Sequence, residues 1–184
     1  MSLKPDFSGA SNAIIPGENM LSPQQIIGQL SKDELFNQWQ KEHPQHFLSH
    51  FFAVLDSDFK FKSGWEIGFF AEDKITVFLP LKKGFEIKPA DEIFKQKSAQ
   101  LESLDLKSLV LSYEEALKKF QDSQLVYFPK VVLGDGFVIL QTINGKILWN
   151  FTFITKQLKF VNLKINAVSG KEEDHQEIDL VQRN

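Results

Sequence analysis

The stretch that decides the fold runs from Gly145 to Gly170 and reads GKILWNFTFITKQLKFVNLKINAVSG. Ile147, Trp149, Phe151 and Phe153 fall on one face, with Asn150 and Thr152 between them on the other. After a turn near Lys156, apolar residues alternate with polar ones from Val161 to Ala167. Alternation with a period of two is typical of antiparallel strands that have one buried and one wet face. The stretch therefore predicts a β-hairpin.

A second hairpin precedes the first. Asn144-Gly145 is a strong hairpin signal, because both central residues of a type I′ turn need a positive φ. It predicts a strand from Phe137 to Ile143, entered from Val131–Leu133 through a bend at Gly134–Gly136. On the other side of the hairpin, the sequence continues into a charged tail.

This tail begins at Lys171 and is rich in acidic residues. We interpret Lys171–Asp174 as a solvated turn. One last strand is predicted at Glu177–Val181.

The N-terminal half repeats the strand pattern. Trp65, Ile67 and Phe69 share one face of a predicted strand, and Ile75–Leu79 forms the return strand, which Pro80 ends. Phe47–Leu55 fits either a helix or a strand, and its aromatic and branched residues favour a strand.

Helix starts are marked by serines. Ser22-Pro23 predicts a short helix to about Leu30, because Pro is favoured at the first helical position. The patterns Ser31-x-x-Glu34 and Ser112-x-x-Glu115 predict two more helices by the capping-box rule. Residues 82–111 are predicted to be a connection with a short helix around Asp91–Lys97, and Pro44 ends the helix that follows Ser31.

The two halves present similar signals in the same order, which predicts an internal duplication. The matching pairs are Ser31 with Ser112, Pro44 with Pro129, and Trp65 with Trp149. We therefore predict an α+β fold with antiparallel sheets and packed helices, built from two helix-plus-three-strand units. The predicted segments are a flexible arm over residues 1–21, a first unit over 22–97 and a second unit over 98–184.

Composition excludes several classes of function. The 184 residues carry a net charge of −3 with mixed signs, so the sequence offers no basic surface for nucleic acid. The absence of Cys removes thiol catalysis and Cys-based metal sites. No apolar run is long enough for a membrane span, and no signal peptide is visible, so a cytoplasmic location is expected. The 18 Phe residues predict a ring-rich core or an apolar pocket.

The C-terminal half resembles the PepSY-type domain, in which a helix precedes a three-stranded meander. The landmarks are Trp149, early in the second strand, and the segment Leu163–Gly170, which is similar to the closing turn of that family. Asn166 stands where the family usually has aspartate, and Ser169 where it has threonine. The resemblance implies a non-enzymatic module, often extracytoplasmic, which in some proteins restrains a peptidase. It implies no catalytic residue.

Histidines form the one cluster with metal-ligand chemistry. His43, His46 and His50 would share a face on a continuous helix and could then hold zinc. Pro44 interrupts that helix, and no carboxylate lies at ligand spacing. We interpret the three as polar edge residues.

The other short motifs are weaker indications of a functional site. Asp56-Ser57-Asp58 lacks the further ligands of a calcium loop and is interpreted as a turn. Ser57-x-x-Lys60 matches a string of acyl-transfer enzymes without its partner motifs. Glu34 and Glu115 are explained by capping. We therefore predict no catalytic, cofactor-binding or metal residue and no cofactor.

The sequence favours a non-enzymatic binding or regulatory module that recognises a peptide or protein partner. A carrier of a small apolar ligand, held in a Phe-lined cleft between the units, is the alternative. A hydrolase without a recognisable motif ranks third. The sequence does not indicate an oligomeric state.

Overall fold

The computed structural model describes residues 20–72, 74–88 and 101–180. Within them, three α-helices pack on one antiparallel sheet. The helices are α1 (Pro23–Leu30), α2 (Glu34–Glu42) and α3 (Tyr113–Tyr127). The strands are β1 (Phe47–Leu55), β2 (Glu66–Ala71), β3 (Lys74–Pro80), β4 (Phe85–Lys88), β5 (Leu133–Ile143), β6 (Lys146–Thr155), β7 (Lys159–Asn166) and β8 (Glu172–Asp179).

The sheet is two meanders joined at their first strands. Its order is β4-β3-β2-β1-β5-β6-β7-β8, and every pair is antiparallel. Strands β1 and β5 pair from His50–Gln141 to Leu55–Gly136, so the two halves of the chain share one continuous sheet. The α+β class and the antiparallel sheet are confirmed, and each half contributes four strands rather than the expected three.

All three helices lie on the same face of the sheet, which we call the inner face. The Phe36 ring of α2 lies 5.2 Å from the rings of both Phe69 and Phe78. The Phe120 ring of α3 lies 5.0 Å from that of Phe151. These ring contacts make one aromatic core, as the Phe content predicted.

The predicted hairpins are present in the structure. Asn144 and Gly145 have φ values of 49° and 72°, as a type I′ turn requires. The stretch from Gly145 to Gly170 forms β6 and β7, and Trp149 on β6 is fully buried. Phe47–Leu55 is a strand, as favoured.

Three expectations are wrong. Ser31 does not cap α2, because it closes α1, and Asp33 accepts the Phe36 N–H instead. Lys171–Asp174 is not a solvated turn, because β8 begins at Glu172. Strand β4 was missed inside the predicted connection.

Two expectations fall outside the described residues. These are the short helix around Asp91–Lys97 and nearly all of the arm over residues 1–21. The helix predicted from Pro23 to Leu30 has those bounds in the structure, and the capping box at Ser112 is present.

Candidate functional site

Two tryptophans close the interior between the halves of the sheet. Trp65 precedes β2 and Trp149 lies on β6, and their buried rings have centroids 6.1 Å apart. Trp65 Nε1 donates to the carbonyl oxygen of Leu21 at 3.0 Å, and Trp149 Nε1 donates to that of Leu111 at 3.0 Å. Each carbonyl belongs to the residue before a capping serine, so the indoles fix the starts of α1 and α3 to the sheet.

A small cavity lies between these two helix starts. Its volume is about 100 Å³, and its walls include Met20, Phe61, Trp65, Tyr113 and Trp149. An apolar cavity of about 150 Å³ admits a molecule the size of benzene. This cavity therefore has room for a few waters or one small side chain, and its size does not favour the carrier alternative.

Tyr113 carries an isolated hydroxyl in the same interior. Its ring centroid lies 4.7 Å from that of Phe61, and its buried oxygen has no hydrogen-bond partner among the described residues. Burial, with the Glu114 charge adding to it, raises the pKa of Tyr113 above its ordinary value. The residue packs as an aromatic ring and stays protonated.

The opposite face of the sheet carries an apolar surface that no described helix covers. Phe52 on β1 pairs with Ile139 on β5 at its centre. The side chains that share this outer face with the pair extend across four neighbouring strands. We call the set the apolar band: Phe47, Phe52 and Val54 on β1, Phe70 on β2, Ile75, Val77 and Leu79 on β3, and Phe137 and Ile139 on β5.

Neighbouring rings within the apolar band shield one another. The ring centroids of Phe47 and Phe70 are 5.7 Å apart, and those of Phe52 and Phe137 are 5.6 Å apart. Every member of the band is partly exposed. The band is therefore a surface of partly exposed apolar side chains on adjacent strands, interrupted on β2 by Glu66, which pairs with Phe52 and lies 3.3 Å from Lys88 Nζ.

Sequence reasoning missed this surface, although a signal was present. Phe51-Phe52 and Val54-Leu55 place apolar residues on both faces of β1, and Val138-Ile139 does so on β5. A continuous apolar run is typical of strands that bury both faces.

Polar groups bound the apolar band on the side of β6 and β7. Asn162 Nδ2 donates to Asn150 Oδ1 at 2.6 Å and to Thr152 Oγ1 at 2.8 Å. Lys164 Nζ lies 2.7 Å from Asp174 Oδ2. Because these groups satisfy one another, the middle of β6 and β7 presents a polar border on the outer face.

His50 sits beside the band as a neutral side chain. Its ring lies over Gly68 on β2, where a Cβ atom would overlap it. Its Nδ1 lies 2.9 Å from Ser49 Oγ, and Ser49 Oγ donates to the Gly68 carbonyl at 3.0 Å. Burial lowers the pKa of His50 to about 4, so the imidazole is uncharged at neutral pH.

The other two histidines lie on the inner side, with Trp39. His43 Nδ1 lies 2.8 Å from the Trp39 carbonyl oxygen, and the His43 and His46 ring centroids are 5.3 Å apart. Burial and then neighbouring His43 lower the pKa of His46. The structure thus brings His43 and His46 together and leaves His50 on the opposite face of β1.

Among residues 20–72, 74–88 and 101–180, no three His, Cys, Asp or Glu side chains are grouped to hold a metal ion. The Asp56 carboxylate accepts the backbone N–H groups of Asp58 and Lys60, each at 2.9 Å, as expected for a turn. Glu115 completes the capping box with Ser112, whereas Glu34 lies in the first turn of α2 without that role.

Comparison with known proteins gives little further information. No family model matches the chain, and no curated protein matches it. A solved structure titled as a "putative lipoprotein" from Clostridium difficile 630 is similar with a TM-score of 0.47 and 9% identity. The match covers 78% of this chain and 90% of that one. None of the helices within the described ranges is both long enough and apolar enough to cross a bilayer.

Proposed function

We propose that this chain is a non-enzymatic binding module that recognises a protein partner through the apolar band. The observation that carries the proposal is the outer face around Phe52 and Ile139, which no described helix covers and where large apolar side chains lie together on four adjacent strands. Contiguous exposed apolar surface is a mark of interaction sites. Phenylalanine rings at such a centre are the kind of anchor that dominates binding energy.

The dimensions of the band favour a narrow partner element. Four strands about 4.8 Å apart give a width of roughly 19 Å, and three outward positions per strand give a length of roughly 14 Å. The footprint is on the order of 300 Å², against roughly 800 Å² per partner in a standard interface. One amphipathic helix of about 10 Å diameter fits this surface better than a second copy of the sheet.

The residues around the apolar band also favour a partner element with one apolar side and one polar side. The mutually hydrogen-bonded Asn150, Thr152 and Asn162 limit the apolar surface on one side. Neutral His50 lets apolar atoms approach without the cost of burying a charge. The binding element should therefore place its apolar stripe over Phe52 and Phe137 and a polar flank over β6.

The PepSY-like assignment and the internal duplication belong to this proposal. Supporting them, Ser22 and Ser112 each form a capping box, and each follows a carbonyl that accepts a tryptophan indole N–H. Within the proposed duplication, this correspondence favours Ser22, rather than the expected Ser31, as the counterpart of Ser112. The turn after β7 supports the resemblance, because Asn166 Oδ1 accepts the backbone N–H groups of Val168 and Ser169. A peptidase is then one class of partner.

Site-specific photocrosslinking tests the proposal. p-Benzoylphenylalanine is placed at position 52 or 137 within the band and, as the matched control, at position 125, where Leu125 is 65% exposed on α3 at the opposite face of the sheet. We expect the same partner protein to be captured from both band positions in cells that make this chain, and not from position 125. With the purified partner, Phe52→Lys should weaken binding by about tenfold or more, and Leu125→Lys should change it by less than about twofold.

Three results would overturn the proposal. A crosslink from the band to another part of the same molecule would show that the face is covered from within. A crosslink to a second copy would make the band a self-association surface. Equal capture from positions 52, 137 and 125 would indicate non-specific adhesion.

A further inference from the structure

Strand β8 forms one edge of the sheet and has an unusual side-chain pattern. It spans eight residues, Glu172–Asp179, against four in β4 at the opposite edge. Its inward side pairs with β7, and among the described residues no strand pairs with its other side. A row of backbone N–H and C=O groups therefore faces outward, which is the template for strand addition.

The strand is held firmly in place. Lys146 Nζ lies 2.6 Å from Glu173 Oε2, and Lys159 Nζ lies 2.5 Å from Glu177 Oε1. At its start, the Ser123 hydroxyl of α3 donates to Glu172. A strand fixed in this way needs little ordering when it binds, so less conformational entropy is lost.

An exposed apolar row crosses the outer face and ends at β8. Ile154, Phe160 and Ile178 are successive cross-strand partners on β6, β7 and β8, and Ile154 and Ile178 are 42% and 51% exposed. Leu158 and Leu180 flank this row, with the Leu180 N–H donating to the Leu158 carbonyl at 3.0 Å. A strand added to β8 would place one side chain directly beside Ile178 and continue the row.

The inner face of the same strand end is acidic. Glu177 and Asp179 share the single ammonium of Lys159, which lies 3.4 Å from Asp179 Oδ1. The Asp179 side chain is 70% exposed. Among the described residues, these two carboxylates therefore have one lysine between them, and a basic side chain on an added strand would complement the second negative charge. A second copy of β8 would instead bring acidic residues against acidic residues.

We propose that β8 binds an extended peptide segment in which basic and apolar residues alternate, by addition of a ninth strand. The basic side chains lie toward Glu177 and Asp179 on the inner face, and an apolar side chain lies beside Ile178 on the outer face. The alternation follows from the strand geometry, because successive side chains point to opposite faces. This edge is separate from the apolar band, so the two proposals depend on different residues.

The test uses a fluorescent peptide of alternating lysine and valine and the complete chain. We expect saturable binding with a Kd below about 1 mM, with amide shifts concentrated at residues 172–179 in nitrogen-15 spectra. A peptide of the same sequence with N-methyl groups along one edge keeps its charge and apolarity but cannot donate along that edge. Its binding should be weaker by about tenfold or more.

A second experiment tests the contribution of the acidic residues on β8. Glu177→Lys should weaken binding of the alternating peptide by about tenfold. The matched control is Glu86→Lys, which makes the same charge change on β4 at the opposite edge and should alter binding by less than about twofold. Equal affinity for the N-methylated peptide, equal loss in both variants, or shifts away from β8 would each overturn the proposal. The N-methylated comparison uses the unchanged protein, so it decides the question even if a variant fails to fold.

Discussion

Trp65 and Trp149 make matching contacts from neighbouring positions in the core, since each indole donates its N–H to the carbonyl just before a helix-capping serine. These two bonds tie α1 and α3 to the sheet at adjacent points. Removing the donor while keeping an aromatic ring separates the hydrogen bond from the packing. Trp149→Phe leaves the Leu111 carbonyl without this donor and should lower the free energy of unfolding by about 1–3 kcal/mol.

Urea denaturation measures this loss, and Trp149→Ala provides the comparison. Because Trp149 is fully buried, its truncation should cost about 3–5 kcal/mol. Equal stability of Trp149→Phe and the unchanged protein would show that the indole N–H contributes nothing beyond its ring.

Tyr113→Phe should raise the free energy of unfolding, whereas the Trp149 substitutions lower it. The Tyr113 hydroxyl is buried and has no partner among the described residues, so its removal takes away an unsatisfied polar group. We expect thermal unfolding to show a gain in stability of up to about 1 kcal/mol. A loss of more than about 1 kcal/mol would mean that the hydroxyl is hydrogen-bonded, for example to water in the adjoining cavity.

Gly68→Ala should destabilise the sheet through one contact. The new methyl group would overlap the His50 ring, and displacing that ring should cost about 1–3 kcal/mol. In a His50→Ala background most of this cost should disappear, and a double-mutant cycle measures the coupling. Gly28→Ala is the matched control, because no atom lies within 4 Å of its new methyl group in helix α1. That control should be stabilising by about 0.5–1 kcal/mol.

His50 should also make stability depend on pH. Burial lowers its pKa in the folded state from the ordinary 6.5 to about 4, so between these pH values the unfolded chain binds a proton that the folded chain does not. The contribution is complete above pH 6.5 and is lost as pH falls toward 4, by up to about 3 kcal/mol.

The difference between the unchanged protein and His50→Gln isolates this effect from other titrating groups. Denaturation series between pH 7 and pH 4.5 should show a steeper fall for the unchanged protein. Parallel curves for the two proteins would show that the imidazole is already solvated in the folded state.

Much of the sheet could be predicted because its signals are local. Asn144-Gly145 selects a turn by its own backbone preferences, and the alternation around Trp149 needs only a buried face. Only the end of strand β8 could be predicted in this way, since the sequence predicts a last strand at Glu177–Val181, whereas β8 begins at Glu172. Its acidic residues disfavour strands, and it is held by Lys146, Lys159 and Lys164, which come from other strands.

The start of α2 could not be predicted from local sequence either. Ser31-x-x-Glu34 and Asp33 both offer a cap for α2, and the choice depends on where α1 ends. The apolar band was missed for a different reason. The sequence of Phe51-Phe52 shows that both faces of β1 are apolar, but it cannot show which of them the helices cover.

The junction between β1 and β5 has a consequence for how the chain folds. Among the described strands, six of the seven pairings join strands that follow one another along the chain, whereas β1 and β5 join residues about 80–90 positions apart. Each meander can therefore form from contacts between residues that are close in the sequence. Pairing β1 with β5 closes a long loop, so the docking of the two meanders has the largest loop-closure entropy cost. We expect this docking to be the slow kinetic step, and at high protein concentration the two meanders of different molecules can meet first and give a domain-swapped dimer.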